Sequence, residues 1–350
     1  MDDLKILSTK LASEKCELNP DEIQSGARLL TSSEVAKTDK EEFLTQLALK
    51  GETGAEIAGF ASAFRSMARN PGLEKWASEG IDVCGTGGDH GGTFNISTTV
   101  AFILAAAGIP VLKHGNRSIT SKCGSSDLLE ALGIKTDIDE ETIKRSVEEL
   151  NFVFLLAPAF HPAFKEIVPV RKALAEKGQR TVFNILGPLI NPAQPAHQLV
   201  GVFSEQLVPV LAAALHQLGL AAGFAVHGAY STDRGLDELT TTTRNRMVGF
   251  GRLVDVDETK VASDFGLAEA QPEDLAGGDL TENIQILENV LSGVAPSGLI
   301  DTIVLNAATG LFVVGKVASI TEGIGFARDL LLSGAVRQKI ADIRDFYQSL

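Results

Sequence analysis

The sequence predicts an α/β protein made of a small all-helical domain and a large domain whose mostly parallel central sheet is covered by helices. Two patterns indicate this architecture. Apolar residues in the first 75 positions recur at helical spacing, whereas from Ile81 onwards short apolar runs alternate with helix-like segments. A chain of 350 residues that is 44% hydrophobic and only 6% aromatic also has enough apolar residues for a substantial core.

The change of pattern divides the chain into two predicted domains. Residues 1–75 contain helical stretches such as EFLTQLALK and form the small domain, which helices from about 162–182 are expected to join. Residues 76–350 form the large α/β domain. The sequence shows no internal repeat and no low-complexity segment, so we expect two compact units of unequal size.

Five apolar runs of the large domain have the length and composition of buried strands. Helix-like segments such as STTVAFILAAAG separate them, which is the β–α–β order of a parallel sheet. The end of the chain contains only helical patterns. The predicted strands are IDVC from Ile81, IPVLKH, FVFLLA near 152–157, LVGVF near 199–203 and FAVHG near 224–228.

Charge and cysteine content argue against several classes of protein. With 45 acidic and 31 basic residues the formal charge is −14, which repels DNA and RNA unless a local basic groove overcomes it. Three scattered cysteines, Cys16, Cys84 and Cys123, do not fit a disulfide framework or a cysteine zinc site. No run approaches the roughly 20 apolar residues of a membrane span and no signal-peptide pattern begins the chain, so we expect a cytoplasmic protein that does not bind membranes.

A glycine-rich segment between the first predicted strand and the next helix is the first candidate binding site. Residues 84–98 read CGTGGDHGGTFNIST, with five glycines in the eight positions from Gly85. Free N–H groups in such a loop, and the start of the helix near Ser97, attract phosphate oxygens. The alternative is an ordinary turn with Ser97 or Thr98 as the helix cap. The spacing fits neither a Walker loop nor a dinucleotide-binding motif.

The loop after the second predicted strand is the second candidate. Residues 113–127 read KHGNRSITSKCGSSD and supply cations, an amide and hydroxyls at the C-terminal end of a strand, where parallel sheets bind ligands. A solvated polar loop would have the same composition. Two donor-rich loops on consecutive strands nevertheless favour an anion-binding site.

Two further clusters complete the candidates. Asp237 and Glu238, in the sequence GLDEL, follow a strand and could hold a hard cation such as Mg²⁺, which also takes water and phosphate oxygens as ligands. The segment APAFHPAF from Ala157, with Arg171 shortly after it, combines apolar rings with a cation and could enclose an aromatic acid. Adjacent acids on a surface, a surface Arg and core-facing phenylalanines would produce the same patterns.

Together these motifs resemble those of anthranilate phosphoribosyltransferases over nearly the whole chain. The resemblance implies the fold shared with pyrimidine nucleoside phosphorylases, a homodimer formed through the small helical domain, and a place in tryptophan biosynthesis. It also implies transfer of the 5-phosphoribosyl group of phosphoribosyl pyrophosphate (PRPP) to the amine of anthranilate, giving N-(5-phosphoribosyl)anthranilate and pyrophosphate, with Mg²⁺ as cofactor. DVCGTGGD, FNIST, KHGNRSITSKCGSSDLLEALG, APAFHPAF, PVRK, RTVFNILGPLINPA and GLDEL occur in the order seen in anthranilate phosphoribosyltransferases.

The resemblance assigns site residues position by position. The sequence is longer than the family pattern between Arg171 and Arg180 and at 229–234, but neither segment removes an assigned residue. The implied PRPP contacts are Gly85, Gly88, Asp89, Thr93, Asn95, Ile96, Ser97, Thr98, Lys113, His114, Gly115, Asn116, Arg117, Ser118, Ile119, Thr120, Ser121 and Ser125. The implied anthranilate contacts are Gly85, Asn116, Ala157, Pro158, His161, Phe164 and Arg171. The implied magnesium ligands are Ser97, Asp237 and Glu238.

The implied reaction needs no dedicated general base, because an aromatic amine attacks in its neutral form. Fixed N–H donors, Mg²⁺ and orientation are expected to supply most of the catalysis. Two alternatives remain. A pyrimidine nucleoside phosphorylase would share the scaffold but use free phosphate, which the paired GTGGD and GLDEL motifs disfavour. A non-catalytic relative could bind nucleic acid, which the intact acidic pair and the net charge disfavour.

Overall fold

The computed structural model describes residues 3–89, 92–117, 122–231 and 234–350. Four helices form the N-terminal part, as the sequence predicts. Asn19 with Glu22, and Thr53 with Glu56, form capping boxes that fix where the second and fourth of them begin. Apolar side chains fill the space between the helices and belong to a cluster that extends into the large part. The helices are α1 (Leu4–Glu14), α2 (Pro20–Leu30), α3 (Lys37–Lys50) and α4 (Gly54–Ser66).

An eight-stranded sheet is the centre of the large part, with the strand order β3-β2-β1-β4-β5-β7-β8 and β6 paired with β5. The first five strands in that order are parallel, and β6, β7 and β8 are antiparallel to their neighbours. The strands are β1 (Ile81–Gly85), β2 (Val111–Gly115), β3 (Phe152–Leu156), β4 (His197–Gly201), β5 (Ala222–Ser231), β6 (Arg234–Leu236), β7 (Asn245–Gly251) and β8 (Asp257–Lys260).

The sequence-based prediction of an α/β fold with a small helical part and a mostly parallel sheet is confirmed. Each of the five predicted strands begins within two residues of its expected start. The antiparallel strands β6 to β8 extend the sheet beyond what the sequence predicted. In the longer segment before Gly235, Ser231 at the end of β5 pairs with Arg234 at the start of β6, and residues 232 and 233 lie outside the described residues.

Helices cover both faces of the sheet. On one face α6 and α13 pack into a cluster that also includes Phe152, Phe224 and Tyr347. On the other face α11 packs against α4, so the apolar cluster of the helical part continues onto β4 and β5. The remaining helices are α5 (Glu74–Ala77), α6 (Ile96–Ala106), α7 (Ser125–Ala131), α8 (Glu140–Leu150), α9 (Ala157–Phe160), α10 (Val168–Glu176), α11 (Val208–Gln217), α12 (Leu280–Leu291), α13 (Ser297–Val313), α14 (Ile320–Leu332) and α15 (Ala335–Gln348).

The segment expected to join the helical part does contact it. α10 packs on α3, and Leu174 of α10 belongs to the same apolar cluster as Phe43 of α3. The boundaries 1–75 and 76–350 themselves stay a prediction. Within the described ranges, no helix combines the length and the apolar character that crossing a bilayer requires.

Candidate active site

The C-terminal ends of the parallel strands bring the predicted loops to one edge of the sheet. Gly85 at the end of β1 is in register with Gly201 at the end of β4, and Gly115 at the end of β2 is in register with Leu156 at the end of β3. The glycine-rich loop, the donor-rich loop and the segment from Ala157 therefore leave the sheet side by side. This is the edge at which open α/β sheets bind ligands.

Three glycines allow the acidic segment to lie directly on this edge. A Cβ atom at Gly85 would lie 2.1 Å from Asp237 Oδ2, and one at Gly201 would lie 1.5 Å from the Asp237 carbonyl oxygen. A Cβ atom at Gly228 would lie 2.5 Å from the Glu238 carbonyl oxygen. Any larger residue at these positions would push the segment away, so the glycines determine where the two carboxylates sit.

The acidic pair is held by the two elements predicted to bind phosphate. Gly87 N–H in the glycine-rich loop donates to Asp237 Oδ2 at 2.7 Å, and Ser97 N–H at the start of α6 donates to the Glu238 carboxylate. The Asp89 carboxylate lies beside the Asp237 side chain, and its Oδ2 atom is buried without a partner in the described part of the chain. Asp237 and Glu238 therefore lie against the glycine-rich loop and α6.

Burial raises the pKa of both Asp237 and Glu238, and repulsion between them and from Asp89 raises it further. Lys113 acts against this effect at Glu238. The Lys113 side chain is almost completely buried, and its Nζ atom donates to the Val83 carbonyl and to Ser97 Oγ. Three carboxylates near one ammonium group leave the site short of positive charge.

The donor set therefore fits a hard divalent cation. Mg²⁺ prefers oxygen ligands and is usually held by one or two carboxylates together with water and phosphate oxygens, not by a complete protein cage. Within the described ranges, no three acidic, histidine or cysteine side chains are grouped so that they could hold a metal ion by themselves. Of the three predicted magnesium ligands, Ser97 contacts Glu238 through its N–H group, and its hydroxyl accepts from Lys113 Nζ at 3.3 Å.

The start of α6 has donors that its cap residue does not use. Asn95 occupies the N-cap position without a side-chain hydrogen bond to the helix, so the alternative reading of Ser97 or Thr98 as the helix cap is wrong by two or three residues. Thr98 Oγ1 is buried and has no partner among the described atoms. Just before this turn, Thr93 pairs with Ala276 in an isolated bridge. Free N–H and O–H groups at a helix start are a suitable binding site for phosphate.

The donor-rich loop is only partly described. Ser118, Ile119, Thr120 and Ser121 lie outside the described residues, and Ser125 is the first residue of α7. Asn116 and Arg117 are exposed. Arg117 forms an ion pair with Glu130 at 2.8 Å, so its charge is directed to the neighbouring helix α7 and not to the sheet edge.

Aromatic rings surround the second half of the predicted site. Ala157 and Pro158 begin α9 directly after β3, and His161 and Phe164 follow it. The Phe164 ring centroid lies 5.0 Å from that of Phe64 in α4 and 5.1 Å from that of His161. These contacts place the predicted anthranilate residues between the helical part and the sheet edge.

Arg171 and His114 border the same ring cluster. The Arg171 guanidinium carbon lies 5.8 Å from the ring centroid of Phe183, which itself contacts Phe164. His114 at the end of β2 meets His161 edge to face, with centroids 5.3 Å apart. The Nε2 atoms of His114 and His161 are buried and have no protein partner within the described ranges. Unpartnered polar atoms and a cation thus lie around the same cluster of rings.

The two histidines are neutral at pH 7, because burial lowers the pKa of His114 to about 3 and that of His161 to about 4. The pKa of His161 is lower in the folded protein than the ordinary value of 6.5. Its contribution to the free energy of unfolding is therefore fully present above pH 6.5 and is lost as the pH falls toward 4. At pH 5 the loss from His161 amounts to roughly 2 kcal/mol.

We therefore expect the His161→Asn variant to lose less stability than the wild type between pH 7 and pH 5, by about the same 2 kcal/mol. Urea unfolding at both pH values measures the difference, and asparagine keeps a donor for the Ile190 carbonyl that His161 binds. Equal losses in the two proteins would show that His161 is not held neutral. The exposed His216 lies outside this ring cluster, and His216→Asn is measured alongside as the control for the loss of a histidine.

Two residues that contact the glycine-rich segment lie outside the sequence motifs and were not predicted. Asn283 in α12 bonds Asn95, and Arg180 Nη2 approaches the Gly88 carbonyl at 3.4 Å while its guanidinium stacks over Phe203. The start of α12 does carry a signal, because Asp279 and Glu282 have the spacing of a capping box. That signal predicts a helix but not its contact with the phosphate loop.

Comparison with known proteins agrees with this arrangement. Residues 77–337 match the α/β domain model of a glycosyl transferase family, and residues 5–68 match the helical bundle domain model of the same family. The anthranilate phosphoribosyltransferase of Solibacter usitatus is 44% identical over 340 residues, which are 96% of this chain and 96% of that protein.

Solved structures share both the fold and the extent of the chain. The anthranilate phosphoribosyltransferase of Thermus thermophilus superposes with a TM-score of 0.88 at 38% identity, covering 98% of this chain and 99% of the other. The Saccharomyces cerevisiae enzyme, solved in complex with PRPP and Mg, gives a TM-score of 0.84 at 27% identity over 99% of this chain and 98% of its own. The chain belongs to the anthranilate phosphoribosyltransferase family.

Proposed function

We propose that this chain transfers the 5-phosphoribosyl group of PRPP to the amine of anthranilate and releases pyrophosphate, as a step of tryptophan biosynthesis. The observation that carries the proposal is the contact between the Asp237–Glu238 segment and two phosphate-binding elements, the glycine-rich loop and the start of α6. A diphosphate bound there would meet N–H donors on one side and carboxylates on the other. A metal ion between them makes that combination favourable.

PRPP is assigned to the sheet edge. The N–H groups of the glycine-rich loop and of the first turn of α6 would hold phosphate oxygens, and Lys113, which already reaches Ser97, would supply a fixed positive charge. The described residues assigned to PRPP are Gly85, Gly88, Asp89, Thr93, Asn95, Ile96, Ser97, Thr98, Lys113, His114, Gly115, Asn116, Arg117 and Ser125. Arg117 would have to leave its ion pair with Glu130 to reach the phosphates. Because these donors are in place before the bond to pyrophosphate breaks, they would stabilise the leaving group without reorganising.

Ser97, Asp237 and Glu238 are assigned as the residues that would hold Mg²⁺. The metal, when bound, would neutralise negative charge on the pyrophosphate as it leaves. The protein's part is to keep the two carboxylates together against their mutual repulsion, which the Gly87 and Ser97 N–H groups do. A relative from yeast that was solved with PRPP and Mg supports the assignment.

Anthranilate is assigned to the ring cluster between the helical part and the sheet edge. Gly85 and Asn116 would border the bound anthranilate from the sheet, and Ala157, Pro158, His161 and Phe164 would border it from the segment after β3. Arg171 would grip the carboxylate through paired hydrogen bonds and so direct the neighbouring amine toward the ribose. His161 does not serve as a general base in this account, because the neutral aromatic amine is already nucleophilic.

The Arg171→Ala variant should show a KM for anthranilate raised by roughly ten- to a hundredfold, since a charge-assisted contact contributes about 1.5–3 kcal/mol. The KM for PRPP should stay near that of the wild type, because other loops hold the phosphates. Arg171→Lys should recover only part of the loss, as lysine keeps the charge but not the planar pair of donors. Steady-state kinetics with each substrate varied in turn measure both constants.

The neighbouring Lys172 is exposed and provides the matched control, because Lys172→Ala removes a cation from the same helix without affecting the pocket. An unchanged anthranilate KM in Arg171→Ala, or a raised PRPP KM in its place, would contradict the assignment of Arg171.

We further propose a homodimer formed through the helical part. Ile6 in α1 is 61% exposed and Leu49 in α3 is 68% exposed, on two helices that pack against each other. Val168 at the start of α10, which packs on α3, is 59% exposed. Large exposed apolar side chains on neighbouring helices are typical of an interaction surface. Light scattering in solution tests the stoichiometry. The cytoplasmic location stays a prediction.

Product analysis with two substrate pairs tests the proposed function against its alternative. With PRPP, Mg²⁺ and anthranilate, the protein should form phosphoribosylanthranilate and pyrophosphate, identified by mass spectrometry. With uridine or thymidine and inorganic phosphate, no free base should form. Release of free base, together with no phosphoribosylanthranilate, would establish a nucleoside phosphorylase.

A further inference from the structure

A chain of hydrogen bonds joins the two loops assigned to PRPP. Asn283 in α12 accepts through Oδ1 from Gly278 N–H at 2.8 Å and donates through Nδ2 to Asn95 Oδ1 at 3.1 Å. Asn95 donates through its own Nδ2 to the Cys123 carbonyl at 3.3 Å. Asn283 is 2% exposed and also hydrogen-bonds the Cys123 side chain. One buried amide thus connects the loop after β1 with the loop after β2.

The direction of this chain is determined by its two ends. The Gly278 N–H group can only donate and the Cys123 carbonyl can only accept. All three bonds form only when Asn283 presents oxygen to Gly278 and nitrogen to Asn95, and when Asn95 presents nitrogen to Cys123. If either side-chain amide were rotated by about 180°, two donors or two acceptors would face each other. The two side chains therefore hold each other in one orientation.

This orientation keeps Asn95 from capping α6. An asparagine at the N-cap position ordinarily accepts a hydrogen bond from an N–H group of the first helical turn. Here its Oδ1 atom is occupied by Asn283, and no side-chain cap bond is made. The N–H groups of this turn remain for other acceptors, and the Ser97 N–H group already binds the Glu238 carboxylate.

Backbone hydrogen bonds connect the segment before Asn283 to the glycine-rich segment. Phe94 N–H donates to the Leu275 carbonyl at 3.0 Å, and Gly277 N–H donates to the Gly92 carbonyl at 2.9 Å. A Cβ atom at Gly277 would lie 2.6 Å from the Thr93 carbonyl oxygen, so the two backbones are in direct contact. Asn283 is therefore held on a rigid support beside the loop that it orients.

We propose that Asn283 is a positioning residue for PRPP binding: it turns Asn95 away from α6 and ties the two phosphate loops together before the substrate arrives. The inference rests on the proposed function, because it takes PRPP as the ligand. Asn283 itself lies behind the loop and acts through Asn95. Holding donors ready in advance reduces the entropy lost when the phosphates bind.

The Asn283→Asp variant tests the inference. Aspartate still accepts from Gly278 N–H but presents an acceptor where Asn95 needs a donor. Asn95 could bond to it only by turning over, which would break its bond to the Cys123 carbonyl. Calorimetry should show PRPP binding in the presence of Mg²⁺ weakened by about ten- to a hundredfold. The KM for PRPP should rise in parallel, while the KM for anthranilate stays within about twofold.

Hydrogen exchange without any ligand supplies a second readout. Amides at 93–98 and at 123–127 should both exchange faster in Asn283→Asp, since one bond chain holds both loops. Should that variant fail to fold, Asn283→Ser is measured in its place, because a serine hydroxyl accepts from Gly278 but is too short to reach Asn95.

Leu287→Ala is the control for a merely structural effect. Leu287 lies one turn further along α12, is 1% exposed and packs in the apolar core without a bond to either loop. Its removal should lower the Tm but leave PRPP affinity within about twofold. If wild-type protein does not bind PRPP, the proposed function is wrong. If wild type binds and Asn283→Asp binds as tightly, or Leu287→Ala weakens binding as much, the positioning role is wrong.

Discussion

Replacing Asp237 with Asn and Glu238 with Gln together is expected to lower kcat/KM by roughly a thousandfold or more, in a protein that still folds. Stabilisation of transition-state charge by a bound metal is worth several kcal/mol, and about 1.4 kcal/mol corresponds to a tenfold change in rate. The amides keep the size of the side chains and still accept from the Gly87 and Ser97 N–H groups. The fold should be retained, because the variant also removes the repulsion that raises the pKa of both acids.

Kinetics across a Mg²⁺ titration and thermal unfolding measure the two halves of this prediction. A Tm equal to or above that of the wild type is expected alongside the lost activity. The variant Asp255→Asn with Glu258→Gln removes two acids from the exposed turn and strand β8 and serves as the control for net charge. Activity within a few-fold of the wild type at every Mg²⁺ concentration would contradict the metal assignment.

The second large effect is expected at Gly201, which no substrate is assigned to touch. A Cβ atom there would lie 1.5 Å from the Asp237 carbonyl oxygen, so Gly201→Ala must displace the backbone of the acidic segment. A displacement of about 1 Å in a catalytic group can cost on the order of a hundredfold in rate. We expect at least that loss in kcat, together with a weaker response to Mg²⁺.

Gly325→Ala is the matched control for this substitution. Gly325 lies in α14 with no atom within 4 Å of the added Cβ and without a positive φ, so alanine should stabilise the helix slightly and leave kcat unchanged. Near-UV circular dichroism of both variants checks that they are folded, and steady-state kinetics measures the kcat of each. Full activity in Gly201→Ala would mean that the acidic segment does not need its position on the sheet edge.

Local patterns were sufficient to predict most of the fold. The apolar runs of β1 to β5 are long and bounded by polar loops, so each was found from the sequence. Strand β8 could not be found from the sequence. Its residues DETK are charged or polar, mostly exposed at the edge of the sheet, and show no alternation of apolar and polar positions. Strand β7 is recognisable only as the partner of β5, and that pairing depends on tertiary structure.

The candidate site could be predicted where a motif carries its own chemistry, as at Asp237 and Lys113. It could not be predicted where the role of a residue depends on a distant partner. Composition offers Arg117 as a free cation, but Glu130 binds it. Nothing near Gly201 in the sequence shows that its missing side chain makes room for Asp237. Asn283 likewise acquires its role only when folding brings α12 beside Asn95.

The loss of anthranilate fluorescence on incubation with PRPP and Mg²⁺ tests the central claim most directly. The account predicts a steady decrease that requires all three components, stops when a chelator removes the metal, and is nearly absent in the Asp237→Asn, Glu238→Gln double variant. Constant fluorescence with the complete mixture, in a protein shown to be folded, would contradict the assignment of this chain as an anthranilate phosphoribosyltransferase.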